Sequence, residues 1–207
     1  MALDRIMTQP AIEFWFDFSS SYAYFASLEI EALAAKHGRT VAWRPYMMGQ
    51  AFNITGARGL SSTPLKRDYA WHDWARIARL RGVKYALPAH HPSVSVPAMR
   101  AFYHLDRADP ALAVPFAKAV FAAYFHDGVD TGDAEVVRRI GESIGLDGEG
   151  LAAAMADAEI KALAKARSQE AVDRGVFGSP WMFVDGEPFW GWDRLPMIDD
   201  WLTRGGW

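Results

Sequence analysis

No cysteine occurs among the 207 residues. Disulfides, thiolate metal sites and a cysteine nucleophile are thereby excluded, and any thiol chemistry must use a thiol that a ligand brings in. Basic charge is not in excess either: 22 Lys and Arg are scattered among 25 acidic residues, for a net charge of −3. A nucleic-acid surface needs a basic stripe to meet phosphates, so that class of partner is not expected. No apolar run reaches the roughly 18 residues of a membrane span, and residues 1–10 hold none of signal-peptide length. The expectation is a cytoplasmic protein without a membrane partner.

What is present is apolar and aromatic. Hydrophobic residues make up 51% of the chain, with nine Trp and twelve Phe, enough to bury a large core and still line an aromatic pocket. The length suits one domain carrying an insertion. Residues 14–24, Phe14-Trp15-Phe16-Asp17-Phe18-Ser19-Ser20-Ser21-Tyr22-Ala23-Tyr24, run from an apolar strand through three serines into an amphipathic helix. They form the candidate active site.

Residues 11–18 predict a buried strand whose only charges are Glu13 and Asp17. Phe25, Leu28, Ala32 and Ala35 fall at helical spacing, with a stop at Gly38, and Val41 to Tyr46 predicts a second strand. Strand, helix and strand in that order form a parallel βαβ unit with a right-handed crossover. Gly49, Gly56 and Gly59 predict a mobile loop over 47–63. Helical patterns follow from Pro64 to Gly82, with Tyr69, Trp74, Ile77 and Leu80 marking the buried side. They continue over 99–105, over 110–125 on a face of Phe116, Val120, Phe121 and Tyr124, and over 133–145 and 148–174. The sheet resumes at 181–184, turns at Asp185-Gly186 and returns over 187–190 before a last helix from 194 to 203. Pro180 stands where a cis peptide would turn the backbone sharply. The expected fold class is α/β, a domain of about 11–60 and 171–207 interrupted by a helical insertion of about 61–170.

Four motifs stand in order along the chain: Phe16-Asp17-Phe18-x-Ser20, Lys66-x-x-Tyr69-x-x-x-Asp73-x-x-Arg76-x-Ala78, Gly175-Val176-Phe177-Gly178-x-Pro180 and Gly191-x-Asp193-Arg194-Leu195. Together they resemble the glutathione-dependent branch of the DsbA-like thioredoxin-fold proteins, the 2-hydroxychromene-2-carboxylate isomerases and kappa-class glutathione transferases. The similarity spans about residues 11–203 and implies a thioredoxin-like fold with an all-helical insertion. It also implies glutathione as the cofactor.

By this resemblance Ser20 stands where redox relatives place the first Cys of Cys-x-x-Cys, and Ala23 where they place the second. Dithiol exchange is therefore excluded, because it requires a thiolate to attack a disulfide. The resemblance instead implies Ser20 as a catalytic residue whose hydroxyl donates to the glutathione sulfur. A helix N-terminus lowers a thiol from about 8.5 to about 3.5–7.5, and Ser20 opens such a helix. A serine there also serves as a plain N-cap. Ser21 replaces the proline common in relatives and offers a cap or a second donor. Asp17 is either a proton acceptor near the site or a buried acid paired for structure, and its charge opposes ionisation of a nearby thiol. In the distal motifs, Ser179 before Pro180 offers a backbone edge to the cysteinyl unit of glutathione, in the manner of strand addition. Trp190, Gly191, Trp192 and Asp193 complete the implied cofactor site. Asp193 would hold the γ-glutamyl amine, and the N–H groups of Trp192 and Asp193 its carboxylate. Relatives often carry a small polar residue at the Trp192 position, so a side-chain hydrogen bond is lost there. The alternative for Asp193 is a helix cap paired with Arg194.

The second substrate, a small aromatic molecule, is expected between the serines and the insertion, with 47–62 as a lid. Phe52, Tyr69 and His90 are the candidate substrate-binding residues, with Trp71 and His91 as further lining. His90 and His91 make no metal site, since adjacent residues rarely converge on one ion. Arg58 is the only charge in the loop, where relatives present basic or amide groups to a substrate carboxylate. The resemblance implies a glutathione-dependent cis–trans isomerase of an aromatic-ring catabolite, interconverting 2-hydroxychromene-2-carboxylate and trans-o-hydroxybenzylidenepyruvate with glutathione thiolate as nucleophile. Two alternatives stay open, a kappa-like glutathione transferase and a non-redox binding module or holdase. Relatives are often homodimers, so a second copy is an expected partner.

Overall fold

Strand β1, Ile12–Phe16, sets the frame because both of its faces are covered. Its two-residue period sends Ile12, Phe14 and Phe16 into the main core and Trp15 into a second cluster on the opposite face. The computed structural model describes residues 9–207, so most of the polar lead expected over 1–10 lies outside the described residues. β2, Val41–Pro45, pairs parallel to β1, as the βαβ reading requires. β3, Trp181–Val184, pairs antiparallel to β1, and β4, Glu187–Trp190, antiparallel to β3, giving the order β2-β1-β3-β4. Asp185 and Gly186 have φ of 54° and 91°, the pair of positive values that a tight two-residue hairpin turn demands.

The helix expected after the serines is two helices, α1 at Ser21–Ser27 and α2 at Ile30–Lys36. Ser27 Oγ donates back to the Tyr24 carbonyl at 2.6 Å, and Leu28 and Glu29 donate three residues back, to Phe25 and Ala26. Such back-bonding tightens and breaks a helix. The segment 47–63, expected as loop, contains α3, Met48–Thr55, closed by Gly56 at φ 69°, and a one-turn helix at Leu60–Ser62.

Helix α4, Lys66–Arg81, buries Ala70, Trp74, Ile77 and Ala78. Tyr69 and Leu80, expected on the buried side, are 65% and 76% exposed. They belong to the neighbouring stripe with Asp73 and Arg76, about one residue's rotation away. α5, Val96–Ala108, and α6, Pro110–Phe125, follow, then α7, Ala134–Ser143, α8, Gly148–Ala156, and α9, Ala158–Asp173. Asp157 divides 148–174, ending α8 and capping α9 through Ile160 N. α10, Leu195–Arg204, closes the chain after a one-turn helix at Trp192–Arg194. No described helix is long and apolar enough to cross a membrane.

Helix α6 seals the sheet. The Phe121 ring lies 5.3 Å from both Phe16 and Phe18 and also meets Tyr24 and Phe125. On the opposite face Arg174 stacks on Trp15 and Phe183 and pairs through both nitrogens with Glu13, at 2.6 and 2.9 Å. Truncating Phe121 removes one fully buried ring shared by strand, site helix and helical block. Phe121→Ala should cost about 3–5 kcal/mol in urea denaturation while leaving the far-ultraviolet circular dichroism native; a loss below about 1 kcal/mol would show that α6 is not what holds the sheet face closed.

Candidate functional site

At the end of β1 the chain turns, and the turn is built on Asp17. This carboxylate is 6% exposed. Its Oδ1 accepts from Ser19 N at 2.9 Å, Ser19 Oγ at 2.8 Å and Ser95 Oγ at 2.7 Å, and its Oδ2 accepts from Met48 N at 3.2 Å. Three segments are thereby tied together: the serine turn, the start of α3 and the start of α5. The structural pairing considered for this acid is the one these bonds describe.

Ser20 follows as the N-cap of α1, its Oγ accepting from Ala23 N at 3.3 Å. The same hydroxyl donates to the Ser179 carbonyl at 2.9 Å, across 159 residues. The two ends of the chain meet there. Asp17 N donates to Ser179 Oγ at 2.9 Å and Tyr46 Oη donates to the Gly178 carbonyl at 2.8 Å. Gly191 N donates to the Pro180 carbonyl at 3.0 Å, and the Ser179-Pro180 peptide is cis.

Around this junction the distal motif is tightly fitted. A Cβ on Gly178 would fall 2.2 Å from Trp190 Nε1, so the indole lies directly over that backbone. Trp190 also meets Phe177 edge to face at 4.7 Å. Gly191 adopts φ 110°, and a Cβ there would fall 2.5 Å from Asp193 Oδ1; only glycine leaves that carboxylate its place. Asp193 makes a 3.4 Å ion pair with Arg194 and caps neither following helix. The Trp192 side chain packs on Phe25 at 6.3 Å and beneath the Arg81 guanidinium at 5.3 Å. Trp192 and Asp193 line an open cleft of about 730 Å³ between α2 and α10, together with Leu28, Arg81 and Asp199. The cleft does not include Ser20 or Ser179, so it meets the serine junction only through the distal motif.

The first turn of α1 is linked to the helical block. Ser21 Oγ and Tyr85 Oη share a hydrogen bond at 2.8 Å, and burial raises the Tyr85 phenol. Tyr22 Oη donates to Asp73 at 2.9 Å, and Asp73 pairs with Arg76 at 2.6 Å. Burial, with Asp73 beside it, raises the Tyr22 phenol as well.

The three substrate candidates are scattered. Phe52, on α3, turns its ring toward Gly59 of its own segment. Tyr69 stands on the solvent side of α4, reached by Arg76 Nη2 at 3.5 Å and so joined to α1 only through Asp73 and Tyr22. Trp71 is also exposed. His90 is exposed, without a side-chain hydrogen bond among the described residues. His91 is different: its ring is half-buried against Trp74 and Phe125, and burial lowers its pKa to about 4. Tyr46, Tyr85, Ser95 and Tyr124 were not distinguishable as site neighbours in the sequence, because each reaches the site only through tertiary packing.

The fold and this junction define a thioredoxin-like protein with a serine at the start of its first helix. The DSBA-like thioredoxin domain family matches residues 11–203, and the chain belongs to that family. Within it the chain falls in the branch of 2-hydroxychromene-2-carboxylate isomerases and kappa transferases. It is 31% identical over 194 residues to the 2-hydroxychromene-2-carboxylate isomerase of Sphingobium xenophagum, covering 92% of this chain and 97% of that protein. It is 25% identical to glutathione S-transferase kappa 2 of Caenorhabditis elegans, over 93% and 92% of the two chains. A solved structure of a 2-hydroxychromene-2-carboxylate isomerase superposes with a TM-score of 0.84 at 26% identity, covering 94% of this chain and 95% of that one.

Two outcomes follow from the buried groups. Asp17→Asn should lose about 1–3 kcal/mol in thermal or urea denaturation, because an amide cannot accept from all four donors; unchanged stability would mean that those donors find water instead. For His91 the folded-state pKa lies below the unfolded 6.5, so the unfolded chain takes the proton first. Relative to His91→Phe, wild-type stability should be level above pH 6.5, fall between about 6.5 and 4, and level off below. A difference independent of pH would show that the ring is not kept neutral by burial.

Proposed function

We propose that this protein is a glutathione-dependent cis–trans isomerase acting on an aromatic-ring catabolite of the 2-hydroxychromene-2-carboxylate kind. The observation that carries the reading is the Ser20 Oγ to Ser179 carbonyl hydrogen bond at 2.9 Å in a chain without cysteine. It joins the hydroxyl needed at a sulfur to the carbonyl needed at a cysteinyl N–H. Both groups are engaged with each other, so a ligand bringing an N–H and a thiolate can replace the contact without stranding either group.

The chain's own groups fit such a ligand. Ser179, held by Asp17 N, would pair with the cysteinyl backbone beside Pro180. The Ser20 proton, displaced from Ser179, would turn to the sulfur and stabilise its anion. Asp193, kept clear by Gly191 and opening onto the cleft, would take the γ-glutamyl amine. Trp192 N–H and Asp193 N–H open a helical turn that leaves them without internal partners, so they suit a carboxylate. Trp190, above Gly178, would shield the bound peptide from water. The chemistry that bound glutathione supplies is that of a thiolate: reversible addition to an electron-poor double bond conjugated with a carbonyl, rotation, and departure. Ser20 would again donate its hydrogen bond to the Ser179 carbonyl when the site empties.

The transferase relative makes retention of glutathione on the product the second reading. Product mass separates the two, since isomerisation adds nothing and transfer adds one glutathione. Calorimetric titration of glutathione should give saturable binding that Asp193→Ala weakens at least tenfold. Ser20→Ala should retain binding but lose about 10²–10³-fold in kcat, the effect of removing one donor to a reacting anion. Undiminished turnover in Ser20→Ala would overturn the assignment of the hydroxyl to the sulfur.

A further inference from the structure

His91 is a titratable group close to the site for which the proposed chemistry has so far had no use. Its Nδ1 lies 2.9 Å from Tyr124 Oη, and Ser93 N donates to that same oxygen at 2.9 Å. The phenol therefore already accepts one bond, and its own proton finds a partner in Nδ1. A proton on the phenol directed at Nδ1 requires the imidazole's single proton to sit on Nε2. Tyr124 is fully buried, and its phenol is raised by burial, so it keeps its proton. Nε2 has no hydrogen-bond partner among the described residues and is not among their buried unpaired atoms, so it keeps some access to solvent.

The ring is anchored next to the serine turn. Ser95, four residues on, bonds to Asp17 at 2.7 Å. Trp74 packs against both His91, at 5.5 Å, and Tyr22 of α1, at 6.0 Å. Phe125 packs against both His91 and Tyr85, the partner of Ser21. The burial that lowers its pKa to about 4 keeps the ring neutral at physiological pH. A neutral imidazole with a fixed N–H is a hydrogen-bond donor that does not surrender its proton, which suits an oxygen gaining charge transiently.

We propose that His91 Nε2–H is the donor to the carbonyl oxygen of the second substrate, a conjugated aromatic oxo acid, and stabilises the charge built there during catalysis. This rests on the reaction proposed above. As the electron pair of the double bond moves onto the carbonyl oxygen, the hydrogen bond shortens; the proton stays on Nε2, and the pair returns when the thiolate leaves. Tyr124 is a positioning residue that fixes the tautomer.

The test uses the full chain with ¹⁵N-labelled histidine, its His91 signals identified by their loss in His91→Phe. The expected spectrum is the neutral Nε2–H form, persisting to about pH 5 and mixed with the other tautomer in Tyr124→Phe. Benzylidenepyruvate added without glutathione should move the Nε2 signal, and the cysteine-free chain offers no thiol to capture it. In turnover of 2-hydroxychromene-2-carboxylate with glutathione, His91→Phe should lower kcat about 10²–10³-fold with glutathione affinity unchanged, and His91→Gln, which keeps an N–H, should recover part of the loss. An Nδ1–H tautomer, an Nε2 signal unmoved at saturating benzylidenepyruvate, or wild-type kcat in folded His91→Phe would each overturn the assignment. If wild type shows no glutathione-dependent turnover, the proposed reaction fails, while the benzylidenepyruvate spectrum still decides whether His91 is the donor.

Discussion

The site depends on a buried carboxylate whose recorded hydrogen bonds come from neutral donors alone. Asp17 is held by two N–H groups and two hydroxyls from Ser19, Ser95 and Met48. Without a cation in that set, its desolvation is offset only if every donor is in place, which makes the cluster intolerant of small displacements. The same residue's backbone N–H fixes Ser179. One residue thus sets the relation of the serine turn, α3, α5 and the loop before Pro180, segments more than 160 residues apart at the extremes. A negative charge beside a candidate thiolate site opposes ionisation, and spreading it over four donors reduces that opposition.

A serine at this junction supports a different chemistry from the one a cysteine would. A thiol is a weak hydrogen-bond donor, whereas the Ser20 hydroxyl both caps α1 and donates across to Ser179. The junction is therefore satisfied internally, without an exposed reactive group. A hydroxyl of ordinary acidity is not a nucleophile on its own, and among the described residues no base is bonded to Ser20. The arrangement favours a role in which the serine serves a nucleophile that arrives bound elsewhere.

Much of the fold was legible because its signals are local. The apolar density of residues 11–18, Asp185-Gly186 between two apolar runs, and the face of Phe116, Val120, Phe121 and Tyr124 each need only a few neighbouring residues to be read. The break at Leu28 was not legible, since Phe25, Leu28 and Ala32 keep helical spacing through it and the cause is one serine bonding back to Tyr24. Helix α3 was obscured by glycines, although Gly56 in fact closes it. On α4 the aromatic weight of Tyr69 pulled the expected face toward Asp73 and Arg76, whereas the small Ala70 and Ala78 mark the side that approaches the core. In the site, the meeting of Ser20 with Ser179 followed from the motifs. Tyr46, Tyr85, Ser95 and Tyr124 did not, because a lone hydroxyl carries no local pattern that announces a distant partner.

Trp192 shows how a bulky side chain is accommodated within the distal motif. A small polar residue would leave a gap beside α1, whereas the indole fills it against Phe25 and lies under Arg81. Arg81 ends α4 and also pairs with Glu29 at 2.9 Å, at the break between α1 and α2. The distal motif is thereby braced against the helix that begins at the serines and against the helical block. That brace sets the backbone of Trp192 and Asp193, the part of the motif proposed to meet a ligand through its N–H groups. Recognition carried by backbone tolerates a bulky side chain when the indole turns inward, and the half-buried position of Trp192 satisfies that condition.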